Sequence, residues 1–157
     1  MKISKAILYL SVLLTVLSCN TVKDKQTGQD QPLADKVESV KYEFKARSAS
    51  PLGGRTIQLT PGYYSLKIRK DTIESYLPYY GRAYTAPMSP DEGGIKFTST
   101  DFDYGIKESK NGWEVTITTK DTPQKISMYL NIGKGGYGTL SVQDNNRQSI
   151  SFYGTIE

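Results

Sequence analysis

Histidine is absent from all 157 residues, and cysteine occurs once. Without an imidazole the chain lacks the usual general base, the usual partner of a serine or cysteine nucleophile, and the commonest transition-metal ligand. A single thiol excludes an intrachain disulfide, so an ordinary hydrophobic core must hold the fold. No nucleotide-binding loop is present. Gly133-Lys134-Gly135-Gly136 lacks the G-x-x-x-x-G-K-[ST] spacing, lies between two strand patterns, and reads as a hairpin turn. The loop Pro87-Met88-Ser89-Pro90-Asp91-Glu92-Gly93-Gly94 offers carboxylates without the spacing of a calcium site. A concentrated basic face is also missing: 20 Lys and Arg stand against 16 Asp and Glu. Two of the cations, Lys2 and Lys5, sit in the first few residues. Nucleic acid is therefore not an expected partner, and no cofactor or metal is expected.

The one cysteine, Cys19, ends an apolar run. Met1-Lys2-Ile3-Ser4-Lys5 is basic, and Ala6 to Leu17 carries no charge. That order is the pattern of a secretory signal, too short for a permanent membrane span. Val16-Leu17-Ser18-Cys19 resembles a bacterial lipobox, in which the cysteine is lipidated and becomes the mature N-terminus. The alternative is a plain cleaved signal with an incidental cysteine. The expected division is a lipoprotein signal over 1–18, a flexible tether over 19–36 and one β domain over 37–157. The tether expectation rests on a Gln- and Asp-rich stretch, Asn20 to Asp35, that has no apolar period. Asn20, directly after the cysteine, does not resemble an inner-membrane retention signal. The expected address is a membrane anchored through Cys19, the outer membrane, with the domain facing the periplasm.

From Val37 onward the apolar period is two, the mark of half-buried strands. Val40, Tyr42, Phe44 and Ala46 alternate with charged residues, and Tyr64, Leu66 and Ile68 with polar ones. Further runs carry Ile95 and Phe97; Phe102, Tyr104 and Ile106; Trp113, Val115 and Ile117; Ile126, Met128, Leu130 and Ile132; Leu140 and Val142; and Ile150, Phe152 and Ile156. Turns are predicted at Lys70-Asp71, Asn111-Gly112, Gly133 to Gly136 and Asp144 to Arg147. The pattern predicts an all-β fold of eight to ten antiparallel strands, as a β-sandwich or a closed or partly closed β-barrel. The short final loops predict a C-terminal meander. No helix is predicted after the signal.

Carboxylates leave one route to hydrolysis. Asp101 and Asp103 bracket Phe102 and would share a strand face roughly 7 Å apart, a spacing that suits acid–base work on a glycoside. Solvated turn-forming aspartates are the plainer account. The aromatic residues are the stronger functional signal. Twelve tyrosines are present, and Tyr63, Tyr76, Tyr129, Tyr137 and Tyr153 fall out of phase with the aliphatic positions, among Ser65, Lys67, Glu74, Ser127, Asn131, Thr139, Ser151 and Thr155. Such a face offers stacking area and hydrogen bonds to a glycan or a protein, although tyrosine also suits ordinary half-exposed sheet. Leu77-Pro78-Tyr79-Tyr80-Gly81-Arg82-Ala83-Tyr84 is the densest aromatic segment. Tyr79, Tyr80 and Arg82 are candidate ligand contacts there; in the alternative, Arg82 stacks on tyrosine and fixes a chain corner.

Leu-Pro-Tyr-Tyr-Gly-Arg-Ala, then Gly93-Gly94-Ile95-Lys96-Phe97, Phe102-Asp103-Tyr104, Gly112-Trp113 and Asn146-Arg147-Gln148-Ser149-Ile150-Ser151-Phe152-Tyr153-Gly154, resembles the domain of unknown function 4251 family. Its members look like lipoproteins of Bacteroidetes. The resemblance covers Val40 to Glu157 and implies a secreted, mostly β domain of the cell envelope, without an assigned activity. Asp71-Thr72-Ile73 is similar to the acceptor of Bacteroidetes O-glycosylation, which makes Thr72 a candidate modification site. The expected function is a non-catalytic binding or structural module using its tyrosine-rich face. A small hydrolase and a protein-assembly or stress lipoprotein are the alternatives.

Overall fold

The computed structural model describes residues 27–84 and 93–157. Cys19, the signal, the first part of the tether and the loop carrying Asp91 and Glu92 lie outside the described residues. Among the described residues one helix, α1 (Thr27–Glu38), precedes ten strands. These are β1 (Tyr42–Pro51), β2 (Ile57–Gln58), β3 (Ser65–Ile68), β4 (Ile73–Pro78), β5 (Gly94–Ser99), β6 (Phe102–Ser109), β7 (Gly112–Thr119), β8 (Ile126–Gly133), β9 (Tyr137–Asp144) and β10 (Arg147–Ile156). All ladders are antiparallel, and the order is β5-β4-β3-β1-β10-β9-β8-β7-β6, with β2 paired to β1. The sheet curls into a nearly closed barrel, so of the two architectures predicted, the partly closed barrel is the one formed. The C-terminal meander is present and runs from β6 to β10.

The period-two pattern explains the curl. The strands put most of their aliphatic residues, with Phe44, Phe152 and Trp113, on one face, and only closure covers that face on all sides. Phe44, Leu66, Ile68, Ile73, Leu77, Met128, Leu140, Ile150 and Phe152 are sealed inside. Around them Tyr64, Tyr79, Phe97, Phe102 and Tyr104 are partly covered. In the interior, the Tyr42 and Tyr104 hydroxyls lie 3.1 Å apart and tie β1 to β6. Burial pushes both phenols above the ordinary tyrosine range, so the pair stays neutral.

The tether expectation is corrected from Thr27 onward. That segment is α1, whose Leu33 and Val37 lie in the core. Among its described side chains, Leu33 and Val37 are buried and only the small Ala34 joins them at the core, which is why no periodicity stands out in its sequence. Val40 ends the helix in the left-handed conformation, φ 56°, with its amide donating to the Val37 carbonyl at 3.2 Å. The hairpins otherwise fall where predicted, with one shift. The β6–β7 turn is Lys110-Asn111, and Gly112 is already the first residue of β7. Gly112 has φ 147°, and a Cβ there would run into the Ile132 carbonyl.

β5 and β6 are consecutive in sequence yet lie at opposite ends of the strand order, with only Thr100-Asp101 between them. A carboxylate from beyond β7 pins this corner. Asp121 accepts from Ser99 Oγ at 2.5 Å, Thr100 N at 2.7 Å, Thr100 Oγ1 at 3.3 Å and Asp101 N at 3.1 Å. These donors, the Ser99 hydroxyl first, lower its pKa to about 2.

Candidate functional site

The outer face of β7–β10 is built from the residues that alternate with the core. Its cross-strand rows follow from the register. One row is Tyr153–Thr139–Asn131–Glu114–Lys107, and the next is Ser151–Ser141–Tyr129–Thr116–Gly105. Apart from Glu114, Lys107 and Gly105, the residues of these rows carry a hydroxyl, an amide or a phenol, and Ser141 and Ser151 share a 3.0 Å hydrogen bond. Tyr153 and Tyr137 are diagonal neighbours on β10 and β9, and their rings stack with centroids 6.0 Å apart and planes within 5°. Both stay about half exposed.

A groove of about 260 Å³ opens beside this pair. Asn111, Glu114, Asn131 and Thr139 supply its polar groups, Tyr137 and Tyr153 its aromatic wall. Its depth has a local cause. Gly133 faces Gly112 across the β7–β8 ladder, and neither places a side chain in that outer row. Gly133 takes an ordinary φ, and a Cβ there would meet only the Tyr137 carbonyl, at 3.5 Å. Sequence reasoning found the tyrosines, Asn131 and Thr139 but not the trough between them. The signal was available: Gly133 shares the outward phase of Tyr129 and Asn131.

The candidate tyrosines form two groups rather than one face. Tyr63, Tyr64 and Tyr76 cluster at β3–β4: Tyr64 and Tyr76 stack at 5.9 Å, and Tyr63 meets both edge-on. The Tyr63 and Tyr76 hydroxyls lie 3.2 Å apart, and Lys96 Nζ sits 5.0 Å above the Tyr76 ring. One row, Lys96–Tyr76–Ser65–Lys45–Thr155–Tyr137, joins this cluster to the groove. Four strand spacings, roughly 19 Å, separate Tyr76 from Tyr137 along it. Tyr129 is exposed but lies outside the groove lining.

The Leu77–Tyr84 segment is a corner docked on the β9–β10 turn. The Tyr79 hydroxyl donates to the Arg82 carbonyl at 2.8 Å and the Gln148 carbonyl at 2.9 Å. The cation on the Tyr79 ring is Arg147, 5.3 Å from its centroid, not Arg82. Arg147 also donates to the Gly94 carbonyl at 2.8 Å. Arg82 itself and Tyr80 are exposed. Thr72 is half-buried at the end of the Lys70-Asp71 turn, its hydroxyl donating to Asp71 Oδ1 at 3.2 Å.

The two candidate catalytic carboxylates do not form a pair on a strand. Asp101 lies in the turn before β6, and its amide serves Asp121. Asp103 is open to solvent and holds Lys120 Nζ at 2.5 Å. The lysine's pKa is raised, first by that hydrogen bond. Among the described residues no three His, Cys, Asp or Glu side chains cluster as metal ligands.

A partly closed antiparallel barrel, with a helix whose Leu33 and Val37 enter its core and a polar, tyrosine-bearing outer groove, defines the class of this protein. The family model described as "Domain of unknown function (DUF4251)" matches residues 24–156, and the chain belongs to that family. The matched stretch includes α1, so the family's domain begins earlier than the resemblance at Val40 implies. A crystal structure of a DUF4251 family protein from Bacteroides eggerthii DSM 20697 is similar in fold, with a TM-score of 0.59 at 12% identity. The match covers 82% of this chain and 86% of that one. No curated protein matches. The family carries no assigned activity.

Proposed function

We propose that the protein is a non-catalytic binding module of the cell envelope whose ligand contacts the outer face of β8–β10. The observation that carries this reading is the parallel Tyr137–Tyr153 pair, held half-exposed at the wall of a polar groove. Two rings held parallel on adjacent strands are ordered before any ligand arrives, so little side-chain entropy is lost on contact. The groove lining contains neither a nucleophile–base pair nor a carboxylate pair, and the one carboxylate in it is Glu114. Binding of the purified protein to separated envelope polysaccharide and protein fractions tests the reading. Saturable binding to one fraction that is lost in a Tyr137→Ala/Tyr153→Ala variant supports it. Equal retention of wild type and variant on every fraction rejects it.

The same reading includes the anchor at Cys19, supported by the basic, apolar and lipobox-like order of residues 1–19. Lipid there would hold the domain at the outer membrane, facing the periplasm. Cys19→Ala is expected to move the protein from the membrane fraction to the soluble one. Unchanged fractionation would reject the anchor and leave the binding face untouched.

A further inference from the structure

We infer that the groove of β7–β10 is a subsite for a neutral pyranose unit of a glycan; this rests on the binding-module reading and names its ligand. Three observations lead there. Size is the first. At about 260 Å³ the groove falls below the range of pockets that enclose drug-sized ligands, which begins at about 300 Å³, and it suits a single ring that enters and leaves along an open face.

Charge is the second observation. No lysine or arginine lines the groove, and its only formal charge is the Glu114 carboxylate. Lys107 lies opposite Glu114 on β6, outside the lining. Lys110 and Lys134 likewise lie in the flanking turns, outside the lining, so an anionic ligand in the groove would meet the Glu114 carboxylate first, and phosphates, sulfates and uronic acids are disfavoured.

The third observation is the arrangement of polar and aromatic groups. Asn111 and Asn131 bring amides that both donate and accept, Ser109 and Thr139 bring hydroxyls, and Glu114 accepts. Neighbouring hydroxyls on a sugar ring donate and accept in the same way and can be met in pairs. The flat, electron-rich faces of Tyr137 and Tyr153 suit the weakly positive C–H face of a pyranose. The glycine row matters as much as the polar groups. Gly133 lines the groove without a side chain, and its partner Gly112 adds none beside it, so a ring placed against the tyrosines reaches the amides rather than riding over a side chain. A flat protein surface would gain nothing from that trough, whereas a single sugar ring fills it. A protruding lysine of a protein partner is the rival occupant, since it would pair with Glu114 and lie against a tyrosine.

Isothermal titration of the full chain with neutral gluco-, manno-, galacto- and xylo-oligosaccharides, uronate oligosaccharides and a lysine-rich peptide decides among these. The expected result is saturable binding of at least one neutral oligosaccharide and none of the uronates. Tyr153→Ala should weaken that binding by about tenfold, the factor that 1.4 kcal/mol represents. Gly133→Leu should abolish it by filling the trough, and Asn131→Ala, an exposed truncation that leaves the backbone alone, serves should Gly133→Leu fail to fold. Absence of neutral-sugar binding, binding indifferent to Tyr153 and Asn131, or preference for the uronates or the peptide would each overturn the sugar assignment. Peptide binding lost in the tyrosine variant would do so while leaving the binding face itself standing.

Discussion

Asp121 carries more of the fold than any other exposed carboxylate among the described residues. It satisfies two backbone amides and two hydroxyls at the corner where the chain passes from one end of the strand order to the other. Its pKa of about 2 lies below the ordinary 3.8, so the native state favours its ionised form. The stability from this shift is present in full above pH about 5, and it fades as pH falls through about 4 towards 2. Asp121→Asn is therefore expected to lower the melting temperature at pH 7 and to flatten the acid limb of the stability curve. An Asp121→Asn protein with an unchanged melting temperature would show the corner to be held by other contacts. Nothing in the local sequence, Lys120-Asp121-Thr122-Pro123, distinguishes this aspartate from Asp101 or Asp103. Its importance comes from Ser99 and Thr100, about twenty positions earlier, and sequence order does not bring those together. Arg147 is a similar case. It takes the place on Tyr79 that the neighbouring Arg82 was expected to fill, because the β9–β10 turn docks against that corner.

At the scale of elements, alternation carries nearly all of the legible information. Every predicted apolar run from Phe44 to Ile156 lies on a strand, since period two survives whichever neighbour a strand finds. Helix α1 was illegible for the opposite reason. Two buried residues, Leu33 and Val37, do not make a pattern, and the sheet rather than intrinsic propensity holds the helix in place. Val37→Asp is accordingly expected to release α1, seen as faster amide exchange over residues 33–40 and a lower melting temperature; slow exchange retained there would deny the helix its role in the core. The β6–β7 turn gives a second test. Gly112 combines a positive φ with a backbone carbonyl where a side chain would stand, so Gly112→Ala should cost about 1–3 kcal/mol in urea unfolding. Gly133→Ala, at an ordinary φ with no close neighbour, should cost under about 1 kcal/mol. That contrast is useful for the groove, because it makes Gly133 the position that can be filled without disturbing the ladder.

At the scale of the whole molecule, the sequence indicates the C-terminal meander but neither the N-terminal one nor how the two join. They meet at β1 and β10, whose register runs from Phe44 opposite Ile156 to Pro51 opposite Ile150. These partners are about a hundred positions apart, so this ladder closes the longest loop in the fold and is expected to form late, with slow folding for a chain of this size. Phe44 and Phe152 are sealed inside where the halves meet. Phe44→Ala is expected to cost about 3–5 kcal/mol, read from denaturant midpoints. The two-part site has the same origin: the tyrosine cluster of β3–β4 and the groove of β7–β10 belong to different meanders, and the row through Lys45 and Thr155 is what puts them on one surface. Because β1 and β10 are antiparallel neighbours, their outer ends lie side by side, with Glu43 and Glu157 exchanging backbone hydrogen bonds of 3.0 and 2.9 Å and Lys45 held by Glu157. A load applied between Glu43 and Glu157 would therefore open that ladder rung by rung from its end, as a zipper opens, instead of shearing all its bonds together. Pulled apart at those two ends, the barrel would come open first at its longest-range joint.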